Sequence, residues 1–165
     1  MKKLLLVSAV AVVGVAGWKL HARHAAPAST SAVELDAQDG GGVLVDRLWL
    51  DHLPANQRDY TNFMVILSDE DFGVFQKASM FRGAYEVFNY ARQGGSLQLT
   101  YPQTRESEKV TVKVRRCKED GMDFCLDVTG NSRGVQRYYS REDWVIKSLD
   151  AEHALADKLL GAAQR

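Results

Sequence analysis

The sequence predicts an all-β domain, an antiparallel meander of about eight strands curled into a small barrel. A signal or anchor helix precedes it and an amphipathic helix follows it. Three observations carry this prediction. Short segments in which apolar and polar residues alternate recur between turn-forming residues from Val43 to Tyr139. The two cysteines, Cys117 and Cys125, lie on the two arms of one hairpin-like pair of segments. After Leu149 the apolar period changes from two to three and four, which is helical.

The chain opens on an export pattern. Lys2 and Lys3 precede an uncharged run of 15 residues, Leu4 to Trp18. As a helix the run covers roughly 22 Å, short of the roughly 30 Å hydrocarbon core, so it suits a signal-peptide core better than a full span. Ala26-Pro27-Ala28 offers a cleavage site and Gly14-Val15-Ala16 an earlier one. Removal of residues 1–24 and their retention as an anchor both stay open. The only membrane contact expected is through residues 4–18, if they are kept. No cysteine follows the run, so a lipoprotein anchor is not expected. Either way the domain should lie outside the cytoplasm, in the periplasm, the cell envelope or the medium.

Charge narrows the function classes. The chain has 21 basic and 21 acidic residues. Four of the basic ones, Lys2, Lys3, Lys19 and Arg23, fall in the first 28 positions, where there is no acid; the other 17 therefore face all 21 acids, a net of −4. A mildly acidic domain without a basic block argues against nucleic acid, which demands several phosphate contacts. No cofactor is expected.

Residues 25–42, rich in Ala, Ser, Thr, Asp and Gly with a triple glycine at Gly40 to Gly42, read as a flexible linker. The barrel is expected over residues 43–147. Val43 to Asp51 is the first strand, ended by Leu53-Pro54-Ala55-Asn56. Tyr60 to Leu67 is apolar at both parities and should be covered on both faces. Ser68 to Asp71 turns the chain into strands over Phe72–Phe81 and Ala84–Arg92, divided at Arg82-Gly83. Gly94-Gly95 leads into Ser96–Tyr101, which Pro102 stops. After the hairpin, Asn131 to Gly134 turns into an eighth short strand, Val135–Tyr139.

The hairpin from Lys109 to Gly130 is the anchor of the prediction. Val110, Val112 and Val114 alternate with polar residues on one arm, as do Phe124, Leu126 and Val128 on the other. Placing Cys117 opposite Cys125 puts Val114 opposite Val128, Arg115 opposite Asp127 and Lys113 opposite Thr129. The apolar residues then share one face, and the cysteines share the other with the charge pair. A disulfide between them fits an exported chain. In the tail, expected as a helix over residues 148–165, Leu149, Ala151, Leu155, Leu159 and Ala162 mark one face, with Asp150 as a cap and Lys158 towards the end. This helix should pack outside the sheet.

An exported chain with a tryptophan in its first strand (Arg47-Leu48-Trp49), an eight-strand meander, an arginine in the last strand (Gln136-Arg137-Tyr138-Tyr139) and a helix from Leu149 to Gln164 resembles the lipocalin-like, or calycin, barrels. The glycine which that family carries two residues before the tryptophan is Arg47 here. The resemblance implies a tryptophan packed under the last-strand arginine, here Trp49 and Arg137, and by analogy ligand binding.

The aromatic residues of the first five strands read mostly as core. A barrel interior is also where a small apolar ligand would lie, and Trp49, Tyr85, Phe88, Tyr101 and Arg137 are the residues expected to hold it. Alternatively, Tyr138, Tyr139 and Trp144 near Arg137 and Arg141 form a surface for an envelope protein. The expected function is therefore an exported, non-enzymatic binding or scaffolding module. The alternative is a small serine hydrolase. Gly130-Asn131-Ser132-Arg133-Gly134 matches G-x-S-x-G, and Asp143 or Asp150 and then His153 follow in triad order. That mechanism needs a helix directly after the serine, whereas Val135–Tyr139 reads as a strand. No metal site is expected: His21, His24, His52 and His153 are scattered, and Ser68-Asp69-Glu70-Asp71 lacks the alternating ligands of a calcium loop.

Overall fold

Alternation becomes strand wherever the sequence carries it. The computed structural model describes residues 33–34, 39–146 and 148–162; the expected export segment and most of the expected linker lie outside them. The elements, in order, are β1 (Val33–Glu34), α1 (Asp39–Leu44), β2 (Leu48–Leu50), β3 (Thr61–Leu67), β4 (Phe72–Ala78) and β5 (Gly83–Gln93). They continue with β6 (Ser96–Tyr101), β7 (Glu106–Arg116), β8 (Phe124–Thr129), β9 (Arg137–Ser140) and α2 (Leu149–Ala162). From β2 to β9 each strand pairs antiparallel with the next, and β9 returns to β2 through Leu50 and Tyr139. The result is a closed eight-strand antiparallel barrel, consistent with a lipocalin-like architecture. β1 lies against the end of β7, with Val33 opposite Arg116.

Period two sorts the side chains into two cores. Trp49, Met64, Phe88, Tyr101, Leu126 and Tyr138 are among those that fill the barrel interior. The other parity of β2 and β3 (Leu48, Leu50, Phe63, Val65 and Leu67) packs outward against Trp144, Ile146 and the Ala156 and Leu160 face of α2. β3, Thr61–Leu67, is thus covered on both sides, as the two-parity apolar pattern predicts, while Tyr60 at the start of the segment stays exposed. Burying a side chain of this size contributes roughly 1.5–3 kcal/mol, so neither core is dispensable.

Three expectations about local structure are corrected. The triple glycine belongs to α1, not to a linker, and the first barrel strand, β2, begins at Leu48, not Val43. Glycines disfavour helix, but α1 caps one end of the barrel: Leu44 is buried in the core and its carbonyl accepts the Trp49 indole N–H at 3.0 Å. In α2 the cap is Ser148, whose Oγ accepts the Ala151 N–H at 3.2 Å, and not Asp150. The buried stripe of that helix is Glu152, Ala156 and Leu160, flanked by Leu155 and Leu159, while Ala151 and Ala162 face water.

The third correction concerns the hairpin. Val114 lies opposite Leu126, Arg115 opposite Cys125 and Lys113 opposite Asp127, two residues away from the expected register. A slip of two keeps every side chain on its face, so alternation is blind to it. The register is set by the loop after Arg116, where the Cys117 N–H donates to Asp123 O at 3.0 Å and the Met122 N–H to Glu119 O at 2.9 Å. The Cys117–Cys125 disulfide forms nonetheless, with Cα atoms 5.8 Å apart, because diagonal neighbours also come within reach. Arg115 and Asp127 likewise meet diagonally, at 3.5 Å.

Candidate functional site

The two barrel ends differ in chemistry. At the α1 end Arg47 is buried and donates to the Arg141 carbonyl. Its guanidinium lies 4.7 Å from the Phe124 ring centroid, and that of Arg116 lies 5.0 Å from the same ring. Burial lowers the Arg47 pKa, and the charges of Glu142, Asp123 and Asp143 partly counter this. This end is shut.

The opposite end is the mouth, and it is polar. Strand parity aims Glu86 of β5 and Glu106 and Glu108 of β7 inward, above the apolar core. Arg133, on the loop between β8 and β9, reaches across them. One terminal nitrogen meets Glu86 Oε1 at 2.7 Å, the other meets Glu106, and the guanidinium lies 3.7 Å from the Tyr101 ring centroid. The Tyr101 hydroxyl donates to Glu108, which also accepts the Ser132 N–H at 2.8 Å. Burial, and then the Glu108 hydrogen bond, push the Tyr101 pKa well above that of a free tyrosine. Burial alone would raise Glu108, but the hydrogen bonds from Tyr101 and Ser132 outweigh it and its pKa falls below the ordinary carboxylate range. Tyr138, below them, is pushed up to about 12 by burial, and its hydroxyl accepts the Val135 N–H at 2.9 Å.

A cleft of about 390 Å³ opens beside this latch, between Phe75, Gln76, Lys77, Tyr85, Glu86 and the Arg133-Gly134 corner. A groove of about 330 Å³ runs along the outside, between the β4–β5 turn (Ser79 to Arg82) and His153, Ala156, Asp157 and Leu160 of α2. The arm formed by β4 and β5 separates the two. It carries exposed apolar side chains: Phe81 is 64% exposed and Tyr85 76%, with Met80 above 40%, and the equally exposed Tyr60, just before β3, lies beside it with its ring centroid 5.7 Å from Lys77 Nζ of β4.

The five residues expected around an internal ligand fall apart in space. Trp49, Phe88 and Tyr101 face inward and are fully buried. Phe88 stacks on Phe75 at 4.8 Å and meets Tyr101 edge-on at 6.3 Å, and a Cβ on Gly73 would strike its ring. These side chains occupy the interior. Tyr85 and Arg137 point outward. Arg137 donates to Asp127 at 2.8 Å on the outer surface, which raises its pKa. The expected stack of Arg137 on Trp49 therefore does not form, because Tyr138 takes the inward position of β9. The guanidiniums that do lie over aromatic rings in the barrel are Arg47, Arg116 and Arg133. The latch has a faint signal in the sequence: Glu86 and Glu108 share the parity of Phe88 and Val110. A carboxylate on a core parity is a signal that a cation will be found nearby.

The hydrolase geometry is also not formed. Strand β9, and no helix, follows Ser132, whose N–H donates to Glu108. Among the described residues one His, Cys, Asp and Glu grouping has metal-ligand spacing, Cys117, Glu119 and Cys125, and its two sulfurs are consumed by the disulfide.

Fold and site together define a small, closed β-barrel with an apolar side-chain core, a latched mouth and an exposed aromatic arm. Comparison with family models, curated proteins and solved structures gave no match.

Proposed function

We propose that the protein is an exported, non-enzymatic binding module that docks a protein of the cell envelope on the β4–β5 arm. One observation carries the reading: the barrel interior is occupied by its own side chains, while Tyr60, Met80, Phe81 and Tyr85 stand exposed around one arm flanked by two clefts. Water-exposed aromatic and Met side chains grouped between polar rims are what partner surfaces present. The disulfide and the Lys2-Lys3 leader pattern support placement in an oxidising compartment. Kinship with the calycin barrels is part of this reading and rests on the closed meander, Trp49 and the C-terminal helix.

The test is site-specific photo-cross-linking in intact cells, with the reactive group at position 81 or 85 and, as a control, at the exposed Val145 on the far end. A discrete protein adduct from 81 and 85, absent from 145, is the expected result. No adduct from either arm position refutes the reading. A small molecule that stays with the native protein through purification would return the function to the barrel.

A further inference from the structure

The closed barrel has a notch. β5 pairs with β4 from Gly83 to Asn89, but with β6 only from Asn89 to Gln93. Residues 83–88 therefore have a strand on one side alone. The cause is in the sequence: continuing the β5–β6 register would set Val87 opposite Pro102, which has no N–H to offer. There the chain leaves the sheet in a tight turn, with the Arg105 N–H donating to Tyr101 O at 2.8 Å.

Strand parity shows which groups this leaves open. The Tyr90 N–H donates to Asp71 O at 2.9 Å, on the β4 side, so the even-numbered residues of β5 aim their backbone groups at β4. The N–H and C=O of Gly83, Tyr85 and Val87 aim the other way. Among the described residues no strand lies there to receive them. Gly83, Ala84 and Tyr85 are exposed, so the edge is open to solvent. On the inner side Glu86 is held by Arg133, out of the way of an incoming chain.

We infer that a partner is held by strand addition: an extended segment of the docked protein pairs with the Gly83–Val87 edge of β5, laying an aromatic or β-branched side chain against Tyr85. The inference rests on the docking reading above and names the kind of partner. A regular row of unpaired backbone donors and acceptors is satisfied by another extended chain, and by little else. Tyr85, exposed and outward, supplies the cross-strand neighbour that aromatic and branched residues favour. The edge admits about five residues, or about 17 Å of chain. A second copy of β5 fits poorly. It would continue rigidly through Arg82 and Phe81 into its own β4, and from Asn89 onward that side of β5 is filled by β6. A free terminus or linker can lift away once the five residues are paired.

The probe is a displayed library of random ten-residue peptides, selected on the intact domain. Selected peptides should protect the Tyr85 and Val87 amides from hydrogen exchange and leave the even-numbered β5 amides unchanged. Tyr85→Pro removes the outward N–H together with the ring and should weaken binding at least about tenfold, whereas Tyr85→Thr, which removes the ring and keeps the N–H, should change it by less than about threefold. Val87→Pro serves if the first variant does not fold, and the exchange data on the native chain stand by themselves. Failure to select any peptide, binding that leaves both amides unprotected, or equal binding to the proline variants would each overturn strand addition. So would protection of the same amides by concentration-dependent dimerisation, which would make a second copy the occupant. The two readings separate in cells. A position-81 adduct that survives Tyr85→Pro keeps the docking surface and removes strand addition. Peptide binding without any adduct does the reverse.

Discussion

Gly134→Ala probes the corner that latches the mouth, and its cost can be worked from contacts. Gly134 has φ +72°, a left-handed conformation that costs an alanine about 1 kcal/mol. The new Cβ would sit far inside van der Waals contact with the Tyr138 hydroxyl and 3.0 Å from Phe75 Cδ1. Both rings are buried, and such overpacking costs about 1–3 kcal/mol. Displacing Tyr138 also breaks its hydrogen bond from the Val135 N–H, about 1 kcal/mol more. The sum is about 3–5 kcal/mol, a large share of the 5–15 kcal/mol that typically holds a domain together. Urea unfolding, followed by the fluorescence of the buried Trp49 and Trp144, measures it for Gly134→Ala, Tyr138→Phe and the double variant. Tyr138→Phe alone should cost about 1 kcal/mol. In its background Gly134→Ala should cost about 2 kcal/mol less, because the hydroxyl in the way is gone. A cost below about 1 kcal/mol for Gly134→Ala, or strict additivity, would mean that the loop does not press on Tyr138.

Two further perturbations test the frame around the site. The Cys117–Cys125 bridge spans a separation of 8 residues, for which chain entropy gives about 2.5 kcal/mol; replacing both cysteines by alanine should cost about that much. Peptides joined only without reductant confirm the bridge, and thiols alkylated in the native, unreduced protein would contradict it. Glu152 is buried under α2, and burial raises its pKa, with the nearby His153 countering in part. The folded state therefore favours the protonated carboxyl. Its contribution is full below the unfolded value of about 4.3 and is lost as pH rises through the folded pKa. Glu152→Gln should thus melt higher than the native chain at pH 7 and alike near pH 4. A difference independent of pH would show that the carboxyl is solvated.

Much of the frame was legible because parity and period are local properties. Ser96–Tyr101 and Phe124–Thr129 begin and end where their alternation does. The double apolar pattern of Tyr60 to Leu67 implied a cover on each face, and the barrel and α2 supply the two. The site was less legible. Arg133 stands in a glycine-rich turn that looks like any hairpin connection, and its meaning depends on three carboxylates 25 or more residues away in the chain. Arg137 is expected inward over Trp49 from the resemblance, but Tyr138 takes that parity and Asp127 offers Arg137 a partner outside.

The amino-acid sequence by itself determined the strands, the faces of most of them, the pairing of the two cysteines and the helical tail. Each of these follows from neighbours within a few residues along one segment. Tertiary structure decided the hairpin register, since a two-residue slip leaves both faces unchanged and only the folded loop at 117–123 selects between them. It also made a helix of Asp39–Leu44 against the preference of its glycines, because the barrel end gives Leu44 a core to enter and Trp49 a carbonyl to bond. The notch in β5 combines the two: Pro102 is written in the sequence, but the edge it leaves open exists only once β5 has run past the end of β6.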